Sequence, residues 1–280
     1  MTREAESQVA QHYGIGGVLR AIDAGLAQMG VDPMHPTAEA LKGVDEFHTA
    51  GFASTTALLD QVLIPKGAHV IDLGAGIGGT ARFLAEHYEV TVTGIDLTAE
   101  YVEAGQILTN RLGLADRVQL VHGSALELPM PDESADLVTM FHVGMNISDK
   151  AALMAEAARL LKPGGTFALF DVMQDRNPEP LAFPLPWSGV AETSFVQSPQ
   201  VYEDAGSKAG LVKQTQRDRR DFTLQFFEKV FAAIAANSGP APIGIHLLMG
   251  ADAGQKLQNY VANVRAHKIF PVEMIFTKPA

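Results

Sequence analysis

Asp72 and Asp96 are the two residues from which chemistry can first be read in this 280-residue chain. Asp72 sits near the end of a short apolar run, Ala68 to Leu73, that leads straight into Gly74, Ala75, Gly76, Gly78 and Gly79. Strand, glycine turn and helix is a geometry in which backbone N–H groups and a helix N-terminus face a ligand. Glycine is needed there because a Cβ would block the sharp turn and the ligand's approach. Gly74, Gly76 and Gly79 also fit the dinucleotide spacing G-x-G-x-x-G, so the glycines alone do not choose the ligand. A carboxylate two residues before the first glycine would repel a pyrophosphate and suit a cationic group. Asp72 could instead cap the next helix, but the turn lies between them. Asp96 ends the next apolar run, 24 residues after Asp72. An acid at that strand tip can accept hydrogen bonds from both hydroxyls of an adenosine ribose. As a cap for helix 98–112, Thr98 is the better candidate.

Two histidines could handle a proton. His142 follows a fourth strand in Met140-Phe141-His142-Val143-Gly144-Met145-Asn146, and His48 lies in Val44-Asp45-Glu46-Phe47-His48-Thr49-Ala50-Gly51. An imidazole has an ordinary pKa of about 6.5 and can accept a proton near neutral pH. Either ring could equally be a histidine that only bonds backbone. The nine histidines show no H-x-x-E-H-type spacing, and no metal site is expected. Trp187, the lone tryptophan, stands in a proline-rich stretch where it could wall a pocket. The stripe Phe222, Phe226, Phe227, Val230, Phe231 and Ile234 reads as the packing face of an amphipathic helix. Arg217, Arg219 and Arg220 with Asp218 and Asp221 read as a solvated strand edge.

Alternating elements must position these residues. Strands are expected near 68–73, 90–95, 117–121, 135–140 and 165–172, with helices near 79–87, 98–112 and 149–161. Such alternation predicts a parallel sheet covered on both faces. Lys162-Pro163-Gly164-Gly165 is expected to end the third helix. Residues 1–64 read as helical, with breaks at Pro33, Pro36 and Pro65, and 174–198 as a proline-rich loop. A helix near 199–209, a strand near 210–217, helices near 222–234 and 252–266, and a last strand, 269–277, follow. The net charge of −11 and the absence of a basic stripe argue against a nucleic-acid partner. No cysteine is present, so there are no disulfides and no thiolate nucleophile. No apolar run approaches membrane-spanning length and the N-terminus lacks a signal-peptide pattern, so a cytoplasmic protein is expected.

The ordered set of Asp72 with the glycine turn, Asp96, Val121-His122-Gly123-Ser124-Ala125, Ala135-Asp136-Leu137-Val138 and Leu161-Lys162-Pro163-Gly164-Gly165 resembles class I S-adenosylmethionine-dependent methyltransferases. The stretch around Phe47 and His48 is similar to one carried by the sarcosine/dimethylglycine and sterol type, where it covers the cofactor's methionine end. The resemblance implies an α/β, Rossmann-like, seven-stranded sheet whose last strand is antiparallel and inserted between strands five and six. It implies a helical cap over 1–64 and a methyltransferase domain over 65–280, with 174–198 and 222–266 as substrate-lid insertions. It implies S-adenosyl-L-methionine as cofactor, contacted by Asp72, Gly74, Ala75, Gly76, Gly78, Asp96, Leu97, Ser124, Ala125, Leu126 and Phe141. Ser124 departs from the aspartate that the family often has there, against the adenine amino group. Serine can accept that hydrogen bond without charge.

The expected activity is methyl transfer to a small molecule, most simply to nitrogen. Tyr13, Phe47, Met145, Asn146 and Trp187 are expected at the substrate, and His142 or His48 as base. The alternatives are an O- or C-methyltransferase of a natural product, an NAD-dependent oxidoreductase on the same glycines, and a cofactor-binding regulator. The sequence leaves open whether the chain forms a homodimer.

Overall fold

The computed structural model describes residues 3–237 and 239–280. Its centre is a seven-stranded sheet of β1 (His69–Leu73), β2 (Thr91–Asp96), β3 (Val118–His122), β4 (Ala135–Phe141), β5 (Leu161–Gln174), β6 (Val212–Asp218) and β7 (Ile269–Thr277), in the order β3-β2-β1-β4-β5-β7-β6. The first five strands run parallel, and β7 is antiparallel to both β5 and β6. This is the expected architecture, with β7 inserted between β5 and β6.

Helices α5 (Gly79–His87), α6 (Ala99–Arg111), α7 (Lys150–Leu160) and α8 (Pro199–Lys208) cover the sheet. Alternation along the strands feeds two cores. Phe167 and Leu169 pack with Ile71, Val138, Met154 and Tyr202 on one face. Ala168 and Phe170 pack with Val70, Leu137 and Leu84 on the other. Strands buried on both faces need apolar residues at every position, which is why the central strands read as continuous apolar runs. β6 is the polar edge, exposed along most of its length.

Residues before the sheet form α1 (Arg3–Tyr13), α2 (Val18–Gln28), α3 (Ala38–Asp45) and α4 (Phe52–Leu59). After β6 come α9 (Arg220–Ala236), a one-turn α10 (His246–Met249) and α11 (Ala253–Arg265). Helix α4 packs Leu58 and Leu59 into the core on one face of the sheet, while over the site Trp187 of the 174–198 segment joins Phe227 of α9, Met249 of α10 and Tyr260 of α11 in a cluster of their own.

Two local expectations are corrected. Lys162 to Gly165 is not a turn ahead of the strand. Leu161 already pairs with Ala135, and the register slips to Leu137 with Thr166, so Pro163 and Gly164 bulge out of β5. Lys162 is free to reach Asp136 at 2.8 Å. The arginines at the end of β6 and just beyond it are not merely solvated. Arg217 and Arg219 converge on Glu273, whose side chain is 1% exposed, and Arg220 bonds Asp175 at 2.6 Å. A carboxylate buried in the sheet must be paired, and β7 places Glu273 opposite Arg217.

Candidate active site

The strand order reverses between β1 and β4, and in such sheets a crevice opens at the C-terminal tips on either side of the reversal. Two cavities meet there. The first, about 760 Å3 counting space open to solvent, is bounded by Gly74, Gly76, Asp96, Leu97, Ser124, Ala125, Leu126, Phe141 and Asn146. The second, about 430 Å3 on the same measure, lies under Trp187, Phe227 and Tyr260. Tyr13, Phe47 and His142 line both. A smaller recess under the glycine turn shares Gly74, Gly76 and Phe141 with the first cavity and adds Asp72, Ala75 and His48.

The turn after β1 is shaped by contact. A Cβ on Gly74 would lie 2.1 Å from Val143, whereas one on Gly76 would meet nothing within 4 Å and would project into open space. Gly79 is packing and not ligand contact, since its Cβ would collide with the Asp45 carbonyl oxygen at 1.9 Å. Gly78 lines neither cavity, and its left-handed backbone (φ 80°) starts α5.

Asp96 holds the turn as well as facing the cavity. Its carboxylate accepts from the Gly76 N–H at 2.8 Å and from the Thr98 N–H at 2.8 Å. It therefore serves the start of α6, as the capping alternative had it, while still lining the crevice. Burial raises its pKa, and these hydrogen bonds oppose the rise. Asp72 is 2% exposed and accepts from the Thr139 hydroxyl at 2.7 Å. Burial pushes its carboxyl up to about 7, against that hydrogen bond and with help from Glu46 and Asp96.

His142 sits at the tip of β4 in a left-handed conformation (φ 54°), which is uncommon outside glycine. Its N–H donates to the Phe170 carbonyl at 2.7 Å, and its ring packs on Phe170 at 4.8 Å. Nε2 is buried with no hydrogen-bond partner among the described residues. Burial, and then the nearby His48, drive its pKa well below the usual value, so the ring is neutral. Asn146 adds a second buried atom without a partner, Oδ1, while its amide donates to Tyr13 at 3.0 Å.

His48 is differently placed. Its Nε2 lies 2.7 Å from Glu46, Nδ1 lies 3.3 Å from the Ser54 hydroxyl, and its ring stacks on Phe141 at 4.9 Å. The same Glu46 oxygen also accepts from Thr55 and Thr80, each at 2.8 Å. Both ring nitrogens of His48 are thus occupied, which fits a residue that holds the chain over the crevice better than a free base.

Ser124 stands in the wall of the first cavity with its hydroxyl already engaged. Its hydroxyl donates to Glu6 of α1 at 2.6 Å, and Glu6 lines the first cavity. An acid is therefore present at this point, supplied from the far end of the chain. Nothing in the spacing of motifs could have shown that, because Glu6 is 118 residues from Ser124. Trp187 is 2% exposed, donates to Ser194 at 2.9 Å and meets Tyr260 edge to face. Met145 lines the second cavity beside it, and Phe227, read from sequence as packing alone, lines it too. Among the described residues no cluster suits a metal ion, and no helix is long and apolar enough to cross a membrane.

Comparison with known proteins agrees with this arrangement. The family described as "Methyltransferase domain" matches residues 71–169. A dimethylglycine N-methyltransferase from Parasynechococcus marenigrum is 32% identical over 65% of this chain and 65% of its own length. A sarcosine/dimethylglycine N-methyltransferase from Aphanothece halophytica is 35% identical over 40% of this chain and 41% of its own. The chain thus spans less than two thirds of either relative. Among solved structures, a candidate sarcosine dimethylglycine methyltransferase from Galdieria sulphuraria superposes with a TM-score of 0.64 at 25% identity, covering 81% of this chain and 82% of that one. The [4+2]-cyclase SpnF shares the fold with a TM-score of 0.71 at 18% identity, over 98% and 97% of the two chains. Sequence kinship over residues 71–169 and sheet topology together make this chain similar to the S-adenosylmethionine-dependent methyltransferases of small-molecule type, without extending the family match to half of its length.

Proposed function

We propose that this protein transfers a methyl group from S-adenosylmethionine to a small-molecule acceptor, with nitrogen as the favoured atom. The observation that carries the reading is the meeting of two cavities at His142, one bordered by Asp96 at the tip of β2 and Glu6 of α1, the other walled largely by apolar and aromatic side chains. The residues present fit the cofactor. Gly76 leaves open space where a Cβ would stand, Asp96 and Glu6 border the same cavity, and Asp72 lies in the recess below. When bound, S-adenosylmethionine supplies an activated methyl on a cationic sulfur. Asp96 would take the ribose hydroxyls, Leu126 and Ala125 would flank the adenine, and Asp72 would face the cationic end.

The chain's own work is then alignment, exclusion of water and one proton. Fixing two reactants in line can contribute on the order of 7–11 kcal/mol. Tyr13 and Phe47 close the junction from above. Neutral His142, with Nε2 unpartnered, can take the proton that the acceptor loses. The relatives named as N-methyltransferases support nitrogen as acceptor. An oxygen acceptor would make the same use of His142 and is the second reading.

The dinucleotide alternative meets a specific obstacle. Among the described residues neither Lys nor Arg lines the first cavity, whereas Glu6 and Asp96 do, so a pyrophosphate would meet acids there. Calorimetry with S-adenosylmethionine, S-adenosylhomocysteine and NAD tests the proposal. Binding of the first two and weak or no binding of NAD is expected, and tighter binding of NAD would overturn it. Since a cyclase shares the fold, release of S-adenosylhomocysteine in the presence of acceptors is the second measurement.

A further inference from the structure

The two cavities differ in charge. Acids gather on one side only, with Glu6 and Asp96 around the first cavity and Asp45 and Asp72 around its recess. Among the described residues the second cavity has neither Asp, Glu, Lys nor Arg in its wall. The two buried lysines nearest to it in the chain are committed elsewhere. Lys256, next to the wall residue Leu257, bonds the Met249 carbonyl at 2.7 Å and Asp252 at 2.9 Å. Lys150 is held by the carbonyls of Gly144 and Phe195, each at 2.8 Å.

Aliphatic and aromatic groups make up most of the remaining wall. Ile245, Met249 and Leu257 stand with Trp187, Phe227 and Tyr260. The rings engage one another edge to face, Trp187 with Tyr260 at 6.0 Å and Phe227 with Tyr260 at 5.6 Å. The Tyr260 hydroxyl is taken by Thr49 at 2.7 Å. His48 also lines the wall, but its Nε2 is held by Glu46 at 2.7 Å, and burial keeps His142 neutral. Such a wall rewards apolar surface and presents no free cation or carboxylate to an ionised group, whose burial without a partner is heavily penalised. The buried polar atom left without a partner at the cavity's edge is Nε2 of His142.

We infer that the acceptor is an uncharged, largely apolar ring compound, seated between Trp187, Phe227 and Tyr260 with its reacting heteroatom at His142, and not an amino-acid carboxylate. The inference rests on the methyltransferase reading and narrows it. It separates this chain from its relatives named for sarcosine and dimethylglycine, whose carboxylates would enter this cavity without a cation to meet them.

The test uses the whole protein loaded with S-adenosylhomocysteine. Calorimetry first measures that loading, and its absence would defeat the methyltransferase reading itself. With loading shown, 2-decalol, decalin-2-carboxylate, dimethylglycine and tetramethylammonium are titrated in turn. All four are optically silent, so emission of Trp187, the only tryptophan, reports occupancy of this cavity independently of turnover. The expected result is that 2-decalol binds at least tenfold more tightly than the carboxylate, with a change in Trp187 emission. Leu257→Arg should reverse the order by at least tenfold, and Ile245→Arg repeats the test if the first variant fails to fold. Equal or tighter binding of the carboxylate, of dimethylglycine or of tetramethylammonium would overturn the inference. So would failure of 2-decalol to bind, or its binding without a change in emission.

Discussion

At the scale of single residues, Asp72 should give the clearest signal. Folding raises its carboxyl from 3.8 to about 7, chiefly by burial. A raised carboxyl pKa penalises the ionised form, so Asp72 costs nothing below about pH 4 and subtracts stability as pH rises to about 7. A cation against it reverses the preference and expels the proton. The affinity for S-adenosylmethionine, relative to uncharged-sulfur S-adenosylhomocysteine, should therefore rise up to about tenfold per pH unit from pH 5.5 to 7 and then level off. Titration calorimetry over this range checks it, and Asp72→Asn should flatten the curve. A ratio that does not move with pH would mean that Asp72 does not face the cation. His142 carries the second expectation at this scale. His142→Ala should lower kcat by about 100-fold while leaving cofactor affinity within a few-fold, and His142→Gln tells base from positioning group. A glutamine variant with full turnover would remove His142 from proton handling. Asp72, Asp96 and His142 were legible because strand tips next to glycine turns are fixed by local sequence. Glu6 and Glu46 were not assigned a role, because their partners, Ser124 and Thr80, are distant in the chain.

Elements turn these residues into a site through close contacts, and the glycine turn shows how the contacts divide. Gly79 meets α3 and Gly76 meets only space. Gly79→Ala should therefore destabilise the fold by about 1–3 kcal/mol through overpacking, read as a lower Tm. Gly76→Ala meets no neighbouring atom, strains a left-handed backbone (φ 55°) at a cost of about 1–2 kcal/mol, and should weaken S-adenosylhomocysteine binding by tenfold or more in calorimetry. Gly79→Ala should lower Tm with binding by the folded protein kept within a few-fold, and loss of binding in both variants, or in neither, would contradict the division. Helix and strand positions were readable because buried parallel strands need unbroken apolar runs and helices need a period of 3.6. The bulge at Pro163 was not, since Pro-Gly-Gly signals a chain reversal equally well before a strand or within its first residues. The ion pairs of Glu273 were hidden for another reason. Arg217 lies in β6, Arg219 just follows it, and the acid lies mid-way along β7, so their meeting depends on the insertion of β7 beside β6.

For the whole molecule, α1 is the part that joins both cavities. Glu6 reaches Ser124, His12 bonds the Pro186 carbonyl at 3.0 Å, and Tyr13 meets Asn146 and packs on Phe47. One short helix thus touches the loop after β3, the segment beside Trp187 and the turn after β4. Yet α1 contributes nothing to either core that flanks the sheet. A helix bound by a few polar contacts and two rings belongs to the low-stability end of a structure, where opening costs least. Substrate and product must pass, and the cheapest passage is past such an element. Deleting residues 1–14 should leave the far-ultraviolet circular dichroism per residue almost unchanged and the cooperative melt intact. S-adenosylhomocysteine affinity should fall at least tenfold, because Glu6 and Tyr13 leave the cavity wall together. In the full chain, hydrogen exchange over 3–13 should slow on S-adenosylhomocysteine binding, while exchange over 199–218, remote from both cavities, should not change. Unaltered affinity in the shortened chain, or protection confined to the sheet, would show that the crevice closes without α1.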